Sequence, residues 1–529
     1  MVTRVRVKRN SYFDSVTLMT VASALGALPG VDLASLVMGT ELNRELLRDS
    51  GLASPEMAGA GPNDVIVAVR ADGDQAAEAA LEQAESLLAR PASAAADSHY
   101  ARRPRTLSAA FAADAETNLA VISVPGPFAS VEAEEALRAG RHVFLFSDNV
   151  PLAEEVRLKA LARELGLLVM GPDCGTAILN GVGIGFANVV RRGPIGVVGA
   201  SGTGLQQVTC LIDGYGSGIS QAIGTGGRDL RAEVGGLTMR AAIAALGADE
   251  ATRVLVLVSK PPAPEVQERV LEAAAATGKP VVAVFIGGGR VPIPAGVTLA
   301  PTLADAAREA VARAASGDGH LASERAADHN APPPSAPAPG QQYLRGIFSG
   351  GTLCEEALLL LGDTLQPLYS NVAVLGVQPL PDPTRGQGHT LLDLGSDEFT
   401  VGRPHPMIDP TLRNERLRQE AADPATACLL LDVVLGYGAH ADPAGTLVPV
   451  LQQIRELTES AGRALPVVVS LCGTEDDPQR LSRQAGALRD AGALVYTSNA
   501  AAARAAGAIV ASRPSAVSHQ QSAVSAGEK

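Results

Sequence analysis

Residues 195–204 read IGVVGASGTG, and a helical pattern begins near Leu205. An apolar run enters a Ser/Gly/Thr turn, and the turn opens a helix. This is the grammar of a parallel α/β sheet, whose strand ends carry helix N-termini. A helix N-terminus leaves backbone N–H groups unpaired and carries partial positive charge. The glycines let an anion approach the backbone, and the hydroxyls of Ser201 and Thr203 add donors. Ser201, Gly202, Thr203 and Gly204 are therefore candidate phosphate or carboxylate ligands, with an ordinary βα turn as the alternative. No Lys follows Gly204, so the segment is not a P-loop.

The same rhythm continues on both sides. The apolar runs Leu119–Val124, His142–Phe146 and Leu167–Met170 alternate with helical stretches, as do Gln221–Ile223, Val254–Val258 and Val281–Phe285. Such spacing implies right-handed β-α-β crossovers and sheets covered on both faces. Further strands are expected near Leu344–Phe348, Thr390–Leu394, Cys428–Val433, Val467–Leu471 and Leu494–Tyr496. The division reads as a small α/β unit over 1–105, with Val5 and Val7 on an edge strand and a short helix near Leu42–Leu47. A unit over 106–192 and another over 193–315 follow. A Pro/Ala/Ser linker spans 316–341, a last unit spans 342–512, and the 513–529 tail reads as disordered.

The 529 residues carry a net charge of −13, which argues against non-specific nucleic-acid binding. Five cysteines lie far apart with no C-x-x-C pair, the usage of a reduced, cytoplasmic protein with no metal site. No run is long and apolar enough to suggest a membrane span, and MVTRVRVKRN lacks the apolar core of a signal peptide.

Other segments carry chemistry. Gly350-Gly351 opens a helix. Gly436-Tyr437-Gly438 follows a strand and precedes a helix started by Asp442-Pro443, where capping alone is the alternative. Asp173-Cys174 and Gly226-Gly227-Arg228 end strands, where ligands of open sheets collect. Arg228 is placed to clamp a carboxylate or to pair with Asp229. Cys174 has no neighbouring cation to activate it. Lys260 follows a buried strand. Residues 401–414, VGRPHPMIDPTLRN, form a proline-rigid loop in which His405 suits acid–base work, Arg403 and Arg413 suit anion binding, and Asp409 completes the set; a loop pinned by ion pairs is the alternative.

These motifs carry a resemblance. VPGPFASVEAEEALRAG, LVMGPDCGT, IGVVGASGTG and AIGTGGRDL make residues 119–290 similar to the α subunit of succinyl-CoA synthetase. Residues 343–510 are similar to the ligase domain of its β subunit. With FDSVTLM, FSDNV, VSKPPA, VGRPHPMIDPTLRN and LLLDVVLGYGA added, nearly the whole chain resembles the FdrA family. The resemblance implies a CoA-binding-like Rossmann unit and two flavodoxin-like ligase domains. It implies acyl-CoA-synthetase-like chemistry, and it associates the family with oxamate carbamoyl transfer in allantoin breakdown, alongside partner subunits. It places phosphate between facing helices at 201–203 and 436–438. Succinyl-CoA synthetase relays phosphate through a Gly-His-Ala-Gly loop, but the corresponding stretch here, Ile286–Val297, has no His, and none occurs between His142 and His320. There is no room for an ATP-grasp domain, and the glycine loop for the nucleotide part of CoA is missing. The implied ligand is phosphate or carbamoyl phosphate, with CoA also possible. The implied substrate is a small carboxylate or amide, handled by an oligomer.

Overall fold

The computed structural model describes all residues except 12, 14, 27, 41, 42, 45, 46, 49, 62, 90–103, 316–336, 339, 401, 402 and 513–529. The expected tail, most of the 316–341 linker and part of the Leu42–Leu47 helix lie outside the described residues. Two compact units emerge, Met1–Arg103 and Pro104–Lys529.

In the first unit β1 (Val2–Lys8), β2 (Val31–Met38) and β3 (Val65–Ala71) form an antiparallel sheet in the order β1-β3-β2, so β1 is indeed an edge. Helices α1 (Ser15–Gly26) and α2 (Asp74–Ala89) cover one face around Leu18, Val67, Val69 and Leu81. Leu47, Leu52 and Met57 cover the other against Ile66 and Ala68.

The second unit holds three sheets. The first is parallel, β4 (Leu119–Ile122), β5 (His142–Leu145) and β6 (Val169–Met170), with the helices α3 (Leu107–Ala113), α4 (Gly126–Arg138) and α5 (Leu152–Leu165). The second sheet starts earlier than the expected 192/193 boundary. A hairpin, β7 (Thr176–Leu179) and β8 (Val182–Gly185), pairs antiparallel with β10 and extends it. Each arm has only four residues, too few for a visible period. The parallel part comprises β9 (Arg192–Ala200), β10 (Ile219–Gly224), β11 (Val254–Ser259), β12 (Val281–Phe285) and β13 (Val297–Leu299), in the order β13-β12-β11-β9-β10-β7-β8. Its helices are α6 (Gly202–Gly214), α7 (Leu237–Ala248), α8 (Pro264–Ala275) and α9 (Leu303–Ala314).

The third sheet is parallel throughout, in the order β16-β15-β17-β14-β18-β19-β20. Its strands are β14 (Tyr343–Phe348), β15 (Leu368–Ser370), β16 (Gln378–Pro379), β17 (His389–Asp393), β18 (Thr426–Val434), β19 (Val467–Cys472) and β20 (Leu494–Tyr496). Its helices include α10 (Gly351–Leu361), α11 (Thr411–Ala422), α12 (Pro443–Ser460), α13 (Leu481–Asp490) and α14 (Asn499–Ala511). All nine residues of β18 are buried, as a central strand between two helical layers requires.

One apolar core joins the second and third sheets. Leu205, Val208 and Ile212 of α6 share it with Leu353, Ala357 and Leu358 of α10 and Ala502 and Ala506 of α14. Polar bonds key the same interface: Asn499 Nδ2 donates to the Leu353 carbonyl and to Glu356, and Glu356 accepts from the Leu303 amide. Elsewhere a buried network ties the first sheet's helices to the second sheet. Lys159 Nζ donates to Glu155, to Asp229 and to the Thr225 carbonyl, each within 2.9 Å. Removing one member of such a buried network leaves a charge uncompensated.

Candidate functional site

The two helix N-termini that the shared core brings together belong to α6 and α10. Ser201 caps α6, its Oγ accepting from the Gly204 amide at 3.0 Å. The same Oγ lies 2.6 Å from Thr352 Oγ1 in the first turn of α10. The helices approach so closely that a Cβ on Gly350 would stand 2.9 Å from Thr203 Oγ1 and 3.0 Å from Asp432 Oδ2. Glycine is needed there for approach, not for flexibility. Asp432, fully buried in β18, accepts from the Ser349 amide (2.6 Å) and the Gly350 amide (2.8 Å) and so fixes the turn. Burial raises its pKa against those two bonds and Arg413. First-turn amides of α6 and α10 lack intrahelical acceptors by geometry, so both positive ends face one crevice.

Lys260, just past β11, reaches into this crevice. Its Nζ lies 2.6 Å from Glu355 Oε1 on α10, and 3.1 Å from where a Cβ on Gly351 would stand. Burial works against its charge, but Glu355 and Asp393 outweigh it and hold the pKa above the usual lysine value. Asp393, the last residue of β17, is 2.6 Å from the same Gly351 point through Oδ2. Burial, opposed by Lys260, pushes its carboxyl up to about 6. Its Oδ1 accepts from the Gly395 amide at 2.9 Å. Asn371 clamps its backbone, accepting from the Asp393 N–H and donating to its carbonyl, both at 2.9 Å. Asp393 is a candidate site residue that the sequence reading missed. The available signal was an acidic residue ending a strand directly before a glycine turn, Asp393-Leu394-Gly395.

The other expected residues fall into two groups. Ser201, Gly202, Thr203, Gly204, Gly350, Gly351 and Lys260 converge as described, and Asp173 borders the same crevice. Asp173 keeps solvent contact, yet crowding by the surrounding chain and the carboxylates of Asp148 and Asp397 push it up to about 6. His405 also borders the cluster: a Cβ on Gly395 would meet its Nε2 at 2.7 Å and Asp393 Oδ1 at 3.1 Å.

His405, expected to do acid–base work, is a partly buried ring at the edge of the cluster. Its ring packs beside Phe186, with centroids 5.7 Å apart, and burial lowers its pKa to about 4. Nδ1 accepts from the Met407 amide at 3.2 Å, which assigns the proton to Nε2. His405 is therefore a neutral N–H donor near pH 7. Arg413 is buried and donates Nη1 to the Asp432 carbonyl at 3.2 Å; its Nε and Nη2 are sealed from solvent without partners. It supports β18 from beside Asp432. Asp409 lies just before the Pro410 N-cap of α11 and accepts from the Thr411 amide and hydroxyl. Arg403 is exposed, and among the described residues it has no side-chain hydrogen bond or ion pair.

The second expected anion turn is corrected. The Gly436 amide donates to Gln479 Oε1 and the Tyr437 amide to the Ala187 carbonyl. A Cβ on Gly438 would meet the Phe186 ring at 2.9 Å. The Tyr437 amide thus holds the 186–189 segment against the third sheet, and the Gly436 amide is tied to Gln479. The following helix α12 is capped by the Asp442 carboxylate, itself bonded to Gln484. Cys174 is inert: it is buried and pushed up to about 12 by burial. Arg228 donates to Glu155 and to the Val150 carbonyl, so it joins the buried network; its partner is Glu155, not Asp229. Gly226 and Gly227 pack that turn on Pro172 and Asp173. A cavity of about 500 Å³ opens elsewhere, lined by Leu451, Ile454, Arg455, Arg463 and Ala493. It lies by the Pro466–Val467 start of β19, away from the strand ends that carry the titratable cluster.

No helix among the described residues is long and apolar enough to cross a membrane. Family models match three stretches: CoA-ligase at 347–509, CoA binding domain at 190–287, and the AllF heavy metal-associated domain at 1–104. The CoA-binding match thus falls on the second sheet, touching the 106–192 unit only at its end. Residues 1–104 contain no cysteine, and the described residues show no group of three or more His, Cys, Asp or Glu placed around a metal. The first unit therefore does not fit a thiolate-held metal. The α subunit of succinate–CoA ligase (ADP-forming) from Aquifex aeolicus is 31% identical over 176 residues, 32% of this chain and 56% of that one. The sulfoacetate–CoA ligase (ADP-forming) subunit SauD of Bilophila wadsworthia is 30% identical over 188 residues, 34% of this chain and 62% of that one. YahF of Escherichia coli (strain K12) is 42% identical over 505 residues, 94% of this chain and 97% of that protein. On that near full-length identity, with the CoA-binding and CoA-ligase matches inside it, the chain belongs to the succinyl-CoA-synthetase-like FdrA family.

Proposed function

We propose that this chain is an enzyme subunit that transfers an acyl or carbamoyl group at a phosphate held between α6 and α10. The carrying observation is the convergence of two helix N-termini on Lys260, with Ser201 and Thr352 hydroxyls 2.6 Å apart at the junction. Oriented amides, hydroxyls and a lysine suit a phosphate, and they stabilise negative charge developing on the oxygen of an adjacent carbonyl. The concrete reaction is oxalurate plus phosphate giving oxamate plus carbamoyl phosphate, run in either direction. It needs no phosphohistidine, in keeping with the histidine-free stretch from Ile286 to Val297. Partner subunits complete the enzyme in this reading.

A second reading is an acyl-CoA synthetase whose ATP-handling domain is on another chain. The CoA-ligase and CoA-binding matches favour it. One assay separates the two. Purified protein, with and without lysate of its source, receives carbamoyl phosphate and oxamate; a parallel sample receives ATP, CoA and a small carboxylate. Phosphate release that requires oxamate is the expected result. Release that requires CoA and ATP moves the assignment to the ligase. No stimulation in either sample identifies a scaffold or sensing subunit.

A further inference from the structure

The transfer needs a group that moves a proton, and the crevice narrows the choice. Cys354 is buried and pushed far up. Lys260 is held as a cation beside Glu355 and Asp393. His405 has Nδ1 occupied by the Met407 amide. Both carboxylate oxygens of Asp432 are taken by backbone amides. Asp393 remains. Its Oδ1 is fixed by Gly395, while Oδ2 is turned toward the first turn of α10, beside Lys260, where the proposed phosphate would sit. The Asn371 clamp on both sides of its backbone fixes this direction.

We propose that Asp393 is the catalytic acid–base that carries the proton of the reacting amide nitrogen. The inference rests on the carbamoyl-transfer reading above. In the synthetic direction the amide nitrogen attacks the carbonyl carbon of carbamoyl phosphate. The N–C bond forms, the C–O bond to phosphate breaks, and its electron pair leaves with phosphate. The Asp393 carboxylate accepts the N–H proton and delivers it to the departing phosphate, giving hydrogen phosphate. In phosphorolysis the protonated carboxyl gives that proton to the leaving nitrogen and recovers one from hydrogen phosphate.

The groups facing Asp393 are Lys260 after β11, Glu355 and Cys354 on α10, Asp432 on β18 and His405 before α11. With its carboxyl at about 6, synthesis should lose rate as pH falls through that value, and phosphorolysis should lose rate as pH rises through it. Removing an acid–base group typically costs about 10²–10⁴-fold in rate. The test measures both directions from pH 5 to 8.5 in the complete enzyme, with wild type and Asp393→Asn. The expected result is a loss of that size in Asp393→Asn, with the opposed limbs gone and only substrate titration left, while phosphate still raises the melting temperature. An active Asp393→Asn that keeps both limbs overturns the proposal, as does loss of the limbs in Asp173→Asn instead. Should Asp393→Asn fail to fold, wild-type profiles decide: parallel limbs, or none near 6, also overturn it. Wild type inactive with oxamate in any complex points instead to failure of the carbamoyl-transfer reading itself.

Discussion

The turn before α6 and the turn before α12 share a grammar: a buried strand, a glycine-rich turn, and a side-chain cap at the helix start. Their donors end differently. At Ser201–Gly204 the chain meets a second helix end, and the first-turn amides, hydroxyls and Lys260 surround a common space. At Gly436–Gly438 the amides are occupied by Gln479 and Ala187, and a carboxylate caps the helix. A glycine turn is therefore a candidate ligand site only where packing leaves some first-turn amides unmatched, as at Gly202 and Thr203. Where packing matches them, the turn is a joint.

Three substitutions test that contrast. The largest effect is expected from Lys260→Met. It removes the crevice cation and should lower transfer roughly 10²–10³-fold, the scale of losing a charge-stabilising donor, while abolishing stabilisation by phosphate in a melting experiment. An unchanged phosphate response would place the anion elsewhere. Gly436→Ala comes next. Its φ of 113° and a Cβ 2.6 Å from the Ala187 carbonyl should cost about 1–3 kcal/mol of stability, read as a shifted denaturant midpoint. The folded variant should keep its phosphate response, since this turn is a joint; losing it would return the turn to the ligand sites. Ser201→Ala is the mildest. Loss of the cap should cost about 1 kcal/mol, with phosphate affinity reduced and Tm lowered a few degrees. Phosphate titration by calorimetry measures the first effect, and no change in affinity would remove Ser201 from the cradle.

How much of this was legible follows from the range of the interactions. The Ser201 turn, Gly350-Gly351 and Lys260 each announce themselves locally, as residue types at strand ends. The parallel sheets follow from apolar runs of strand length alternating with helical segments. Asp393 was hidden because one acid among 56 Asp and Glu carries no local mark. Its character comes from Lys260 and the burial that tertiary packing imposes. His405 looked catalytic in a rigid loop, yet Phe186, more than 200 residues earlier, packs against its ring. Arg228 looked like a clamp until Glu155 claimed it.

Sequence alone determined the alternating α/β architecture, the glycine turns, the absence of a relay histidine and the resemblance to the FdrA family. Each is a property of short segments, of composition or of motif order. Tertiary structure decided which turns face each other, which amides are already bonded, and which acids titrate near neutrality. Those depend on partners distant in the chain and on the desolvation that only the packed interface creates.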